Sequence, residues 1–234
     1  MAKPPINPQK IVVLSGAGIS APSGLATFRD GGGIWDRYKI EEVATPEAWA
    51  KDPARVLDFY NERRAQAAAA LPNDGHRAIA ELEKRFEVVV ITQNVDDLHE
   101  RGGSGRVIHL HGELRKARST VDPTLVYEIG GAPIQIGDRC AQGSQLRPHI
   151  VWFGEEVQRF EEAEEEMRSA GKVVVVGTSL AVFPAAGLVR RARYGAEKVM
   201  VDLEIGPRPY GFTVMHGSAD KVLPTLVKRW LGGE

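Results

Sequence analysis

The chain has 234 residues, 43% of them hydrophobic, enough to bury a full core; one domain with a small insert is expected, and two independent folds would be cramped. Its 30 Lys and Arg stand against 31 Asp and Glu, so overall charge gives no reason to bind nucleic acid or an anionic membrane. Residues 1–10 lack the apolar centre of a signal peptide, no stretch approaches the roughly 20 apolar residues of a membrane span, and the single cysteine, Cys140, excludes an internal disulfide, so a cytoplasmic location is expected.

In chain order, residues 10–14 are a β-branched run that gives way to Ser15-Gly16-Ala17-Gly18-Ile19-Ser20, which reads as a buried strand and a tight glycine turn into a helix. Helical patterns cover 53–71 and 76–85, and a second apolar run follows at 87–92. Residues 118–147 break the alternation: 124–129, then Gly130-Gly131, then 133–137 read as a hairpin. Beyond it come a helix at 160–170, a strand at 172–176 ending in Gly177-Thr178-Ser179, a helix at 185–194, a strand at 198–202 and a helix at 221–231. Continuous apolar strands alternating with helices imply an α/β, Rossmann-like, doubly wound parallel sheet. The hairpin would be a small inserted module at approximately 115–147.

Closely spaced glycines after a strand let the backbone approach a pyrophosphate, whose charge meets amide N–H groups and the positive end of the next helix. Gly16, Gly18 and Gly24 are so placed, although Ala21 occupies the next position of the usual dinucleotide fingerprint and such glycines also serve as plain tight connections. The longer segment GAGISAPSGLATFRD, residues 16–30, resembles the first signature of the sirtuin family. Four more segments resemble that family in order: TQNVDDLH at 92–99, HLHGE at 109–113, RPHIVWFGE at 147–155 and GTSL at 177–180. The resemblance therefore spans almost the whole chain and implies a single sirtuin-type catalytic domain over residues 1–234.

What this resemblance implies is an NAD-dependent protein-lysine deacylase, with NAD as co-substrate and acyl-lysine proteins or peptides as partners. In sirtuins the acyl carbonyl oxygen attacks the nicotinamide ribose, nicotinamide leaves, and a ribose hydroxyl later attacks the acyl carbon, which yields O-acyl-ADP-ribose. His111 matches the family's general base, and an unperturbed imidazole titrates near about pH 6.5. A histidine packed for structure is the alternative, and His109, two residues earlier on an extended segment, is expected to face the other way and be structural.

Asn94 and Asp96 match the positions that hold the ribose and the nicotinamide carboxamide and complete the implied catalytic set; Gln93 would bind ribose hydroxyls. Without the family match the same cluster reads equally as a loop or helix cap. The implied cofactor-binding surface also takes in Gly16, Ala17, Gly18, Ser20, Val95, Gly177, Thr178, Ser179 and the turn Gly217-Ser218-Ala219. Phe28 would shield the reacting centre from water, Arg29 would lie beside the phosphates, and Asp202 stands where the family often has asparagine.

Tyr60 and Arg63, three apart in a helical pattern, share a face and suit a carboxylate, because a guanidinium offers paired donors and a phenol one more. Together with Ala44 they resemble the class III sirtuins, whose widened pocket takes succinyl, malonyl or glutaryl groups; a core tyrosine and a solvated arginine are the alternative. The substrate peptide is expected as an added strand along Val151, Phe153, Gly154 and Glu155. Sirtuins usually carry two cysteine pairs that hold a structural zinc, whereas only Cys140 falls in the corresponding segment, with Ser119 near the place of a first cysteine, so no metal is expected. Desuccinylation and demalonylation beside deacetylation are the expected activities. A protein ADP-ribosyltransferase and a non-catalytic module that binds NAD or ADP-ribose are the alternatives.

Overall fold

Along β1 (Asn7–Ser15), Ile11 and Val13 enter one core cluster while Val12 and Leu14 enter another, because successive side chains leave a strand on opposite faces. A strand buried on both sides must lie between two layers, and the computed structural model, which describes residues 5–27, 37–203 and 209–232, has that form. After β1 come α1 (Ile40–Val43), α2 (Pro46–Lys51), α3 (Pro53–Ala69), α4 (Asp74–Glu81), β2 (Glu87–Thr92), α5 (Leu98–Arg101) and β3 (Val107–His109). Then follow β4 (Gly112–Ser119), β5 (Val126–Glu128), β6 (Leu146–Ile150), α6 (Phe160–Ser169), β7 (Ala170–Val176), β8 (Glu197–Asp202), β9 (Thr213–His216) and α7 (Ala219–Gly232).

Six strands form one sheet in the order β3-β2-β1-β7-β8-β9, and every pairing in it is parallel. Leu223, Leu226 and Trp230 of α7 and Ile79 of α4 cover the face that carries Val13 and Val174. Ala163 and Met167 of α6, with Leu188 of the 3-10 helix Ala185–Arg191, cover the face that carries Val12 and Val175. The expected α/β architecture is therefore present, with a small antiparallel sheet, β5-β4-β6, inserted beside it. Among the described residues no helix is long and apolar enough to cross a membrane.

Local expectations need four corrections. The glycine turn does not enter a helix: two single 3-10 turns follow, Ala17–Ile19 and Ala21–Ser23, and Gly24 closes the second in the left-handed region at φ 87. The 185–194 segment is a 3-10 helix ending at Arg191 rather than an α-helix. Of the expected hairpin only Val126–Glu128 is a strand, and it pairs with β4 instead of with 133–137. The backbone of Ile134 is satisfied by a side chain of α3, since Asn61 Oδ1 accepts from its N–H at 2.9 Å and Asn61 Nδ2 donates to its carbonyl at 2.8 Å, which removes the need for a strand partner. Finally, β3 and β9 add two short edge strands at positions where the sequence pattern is too brief to mark them.

Candidate active site

Strand order reverses between β1 and β7, and a crevice at the carboxyl ends of the strands is expected at such a point. The two glycine loops meet there: Gly16 N donates to Val176 O at 3.0 Å and Gly18 N to Gly177 O at 2.9 Å. A Cβ on Gly16 would lie 2.7 Å from Gly177 O, one on Gly18 2.7 Å from Gly177 Cα, and Gly177 itself sits at φ +64. The glycines are thus needed for the approach of one loop to the other. Ala17 and Thr178 are part-buried and Ser179 exposed on this rim, while Ala219 opens α7 and Gly217 N donates to the carbonyl of Asp202 at the end of β8.

After β2 the chain turns through Gln93, Asn94, Val95 and Asp96, and each is tied down. Gln93 Nε2 donates to Thr178 Oγ1 at 3.0 Å and so links the two halves of the crevice. The backbone N–H of Asn94 donates to Thr92 Oγ1 at 3.0 Å, and Thr92 Oγ1 also accepts from Ser15 Oγ at 2.9 Å. Asn94 Nδ2 donates to Ser20 Oγ at 3.1 Å, and Ser20 Oγ donates to Asp96 Oδ2 at 3.2 Å, so the hydroxyl of the first loop joins the amide and the carboxylate. Burial raises the Asp96 carboxyl pKa, and the hydrogen bonds from Leu98 N–H and Ser20 work against that rise. Val95 packs beside Leu114 and Trp152, and its carbonyl accepts from Leu114 N–H.

His111 follows β3 with its Nδ1 3.0 Å from the carbonyl of Gln93. A carbonyl only accepts, so Nδ1 carries the proton and Nε2 is left with its lone pair. Burial lowers the pKa of this ring, only partly opposed by the Gln93 carbonyl, and the neutral form is therefore held at neutral pH. A fixed neutral imidazole with one free nitrogen is what a general base requires.

The 151–155 segment hangs between two anchors, Val151 N–H on the His111 carbonyl at 2.9 Å and Phe153 N–H on the Ala44 carbonyl at 3.0 Å. Gly154 takes φ +92, and the Phe153 side chain is exposed. Glu155, at the end of the segment expected to pair with substrate through its main chain, turns its carboxylate onto the protein. It accepts from Arg118 at 3.0 and 3.1 Å, from Arg147 at 2.6 and 3.1 Å, and from Trp152 N–H at 2.8 Å. Burial acts to raise its pKa, but Arg147 and the Trp152 N–H outweigh this and keep it ionised.

On α3, Tyr60 is buried and Arg63 half-buried on one face, and Arg63 lies 5.7 Å over the Phe59 ring. Burial pushes the Tyr60 phenol up to about 12 against the opposing charge of Arg63, so it keeps its proton and remains a donor. Burial lowers the Arg63 pKa, countered by Tyr60 and Asp96, which places the guanidinium within electrostatic reach of the Asp96 loop. Phe28 and Arg29 lie outside the described residues.

A family model described as Sir2 family matches residues 16–184. The chain belongs to the Sir2 family. Among its relatives are NAD-dependent protein deacylases of Bacteroides thetaiotaomicron, 50% identical over 86% of this chain and 86% of that one, and of Helicobacter pylori, 52% identical over 83% and 82%. Solved structures agree: a Sir2 homologue mutant with ADP-ribose superposes with a TM-score of 0.89 at 40% identity, covering 96% of this chain and 93% of the other. A Sir2 homologue–NAD complex does so with 0.87 at 39% identity over 96% and 90%.

Within this Sir2 chain several residues for which the sequence signatures imply no role also shape the crevice. Thr92 and Ser15 support the Asn94 turn, Arg118 and Arg147 hold Glu155, and Asn73 donates to Ile19 O at 2.8 Å and to Ser23 Oγ at 2.9 Å while capping α4. For Asn73 a signal existed in the sequence, an asparagine directly before a helical pattern. For the arginine pair there was none, because its partner is 37 and 8 residues away.

Proposed function

We propose that this protein is an NAD-dependent protein-lysine deacylase that removes succinyl and malonyl as well as acetyl groups, releasing nicotinamide and O-acyl-ADP-ribose. The observation that carries the reading is the contact of His111 Nδ1 with the Gln93 carbonyl at 3.0 Å, which calls for a proton on Nδ1 and leaves Nε2 as the basic nitrogen, while burial favours the neutral ring. NAD supplies the electrophilic ribose carbon and the nicotinamide leaving group. Asn94 and Asp96, joined through Ser20, orient the ribose and the carboxamide, and His111 Nε2 takes the proton of the ribose hydroxyl as that oxygen attacks the acyl carbon. Val151 and Phe153 flank the lysine stem, Ala44 leaves room for the acyl group, and the substrate backbone pairs with the 151–155 segment. Tyr60 donates to the far carboxylate of a succinyl chain while Arg63 neutralises it.

Metal plays no part in this proposal. In the segment that the resemblance pairs with the family's zinc cysteines, Ser119 Oγ lies 2.8 Å from Ser144 Oγ, and Cys140 Sγ 3.0 Å from the same oxygen. One thiol and two hydroxyls are not the four Cys or His ligands that a structural zinc takes, and among the described residues no group of three or more His, Cys, Asp or Glu is placed to hold a metal.

The test is mass-spectrometric turnover of matched acetyl-lysine and succinyl-lysine peptides, with and without NAD. Arg63→Met is expected to lower desuccinylation about tenfold or more, the worth of a charge-assisted contact, with a smaller effect on deacetylation. His111→Tyr is expected to abolish both. Equal losses on the two peptides in Arg63→Met would remove the acyl-pocket assignment, and full activity in His111→Tyr would remove the base.

A further inference from the structure

His109 and His111 face consecutive carbonyls of the 93–96 turn, yet only His109 also meets a carboxylate through its second ring nitrogen. His109 Nδ1 is 3.0 Å from the carbonyl of Asn94 and its Nε2 is 2.7 Å from Glu100 Oε1. A carbonyl accepts only, and so does an ionised carboxylate; a neutral ring would face one of them with a lone pair. Both contacts are satisfied together when both ring nitrogens carry protons. The ring is 6% exposed, so water does not replace a missing contact.

We infer that His109 is a positioning residue, kept as an imidazolium by Glu100, which pins the Asn94 carbonyl and sets a positive charge behind Asp96. The inference rests on the proposed roles of Asn94 and Asp96. The charged and titratable groups around the ring agree with it. Glu100 on α5 and Glu113 on β4 both favour the cation, and His109 in turn favours the carboxylate of Asp96. His99 on α5 is driven far towards its neutral form by burial, with His76 and His109 adding to the effect, and brings no competing charge. Burial alone would discharge His109, but the hydrogen bond and charge of Glu100 outweigh it and move its pKa upward.

The same loop therefore meets a cation on one side and a neutral base on the other. That separation has a use: a charged His111 could not accept the ribose proton, and an uncharged His109 would leave Asp96 harder to ionise and the Asn94 carbonyl held only by the neutral tautomer that protonates Nδ1.

The decisive measurement needs no variant. Nitrogen-15 ring resonances of the histidines in the intact protein are expected to show His109 doubly protonated and His111 singly protonated at pH 7.5. In kinetics, His109→Gln is expected to lower kcat/KM for NAD by about tenfold to a hundredfold, as misplaced reacting groups do, and to leave the KM for acyl peptide within about twofold. Glu100→Gln is expected to shift the alkaline limb of the kcat/KM profile for NAD downward by about one pH unit, since the carboxylate that favours the imidazolium is gone. A singly protonated His109 at pH 7.5, or unchanged NAD kinetics in both variants, would overturn the assignment. Full activity in Asn94→Ala would instead remove the underlying role of Asn94, an outcome that the ring resonances separate from a failure at His109.

Discussion

In the main sheet, Ile11 to Leu14 of β1 and Val173 to Val176 of β7 are buried almost completely and bring only hydrocarbon to the interior. In the small sheet beside it, the well-buried side chains of β4 and β6 include Arg118, Ser119 and Arg147, and the apolar contribution shrinks to residues such as Leu114, Ala117 and Ile150. The first sheet is held by area removed from water, which tolerates many substitutions of similar volume. The second is held by directed polar contacts, whose loss leaves charges without partners. The 93–96 turn and the glycine loops grow from the first, while the 151–155 segment, proposed to meet substrate, is tied to the second through Glu155.

The contrast can be broken most severely where the two halves of the main sheet meet. An Ala at Gly18 would put its Cβ 2.7 Å from Gly177 Cα and 3.1 Å from Gly177 O, both backbone atoms that cannot swing aside. Gly18→Ala is expected to cost about 3 kcal/mol or more and to abolish NAD binding. Gly24→Ala makes the control, since nothing lies within 4 Å of its Cβ and only its φ of +87 is unfavourable, a penalty of about 1 kcal/mol. Thermal unfolding with an NAD titration checks both; equal losses would mean that loop contact is not what those glycines provide.

A smaller effect is expected at the polar clamp. The side chains of Arg118 and Arg147 are 10% and 9% exposed, so Glu155→Gln leaves two poorly solvated guanidinium groups facing a neutral amide. A loss of about 2 kcal/mol is expected, below the full cost of breaking a buried pair because the amide oxygen still accepts one bond. Steady-state kinetics should show the KM for acyl peptide rising severalfold with NAD affinity little changed. A change confined to NAD would contradict the assignment of the small sheet to the substrate side.

The same contrast explains what could be read from the sequence. Runs such as residues 10–14 and 172–176 announce themselves because burial on both faces demands unbroken apolar residues, and the family signatures single out Asn94, Asp96 and His111 as candidates for one site. The hairpin expected at 124–137 did not form because Asn61, some 73 positions away, satisfies the backbone of Ile134, and nothing local predicts that. Alternation alone assigns His109 a structural place opposite His111. Alternation fixes which side of a strand a ring leaves, but not that the Asn94 turn curls back to meet it. Polar partners distant in sequence carry no periodic signal, and the small sheet consists mainly of such partners.

Removing metal is expected to have the smallest effect. A structural zinc contributes on the order of 10 kcal/mol or more to a domain that needs it, so a chelator would melt the small sheet if one were bound. With Ser119, Ser144 and Cys140 joined by hydrogen bonds instead, chelation is expected to move the melting temperature by no more than about 1 °C, within the range of a perturbation well under 1 kcal/mol. Cys140→Ser should be nearly neutral, since a hydroxyl can take over the 3.0 Å contact to Ser144. Ser119→Ala should cost more, about 1–2 kcal/mol, because Ser119 Oγ also accepts from the N–H groups of Val121 and Asp122 at 3.1 Å each and both would lose their partner. Differential scanning calorimetry of the three samples decides the matter by order: a hydrogen-bonded junction ranks Ser119→Ala as the most damaging, whereas a metal site ranks chelation and Cys140→Ser above it.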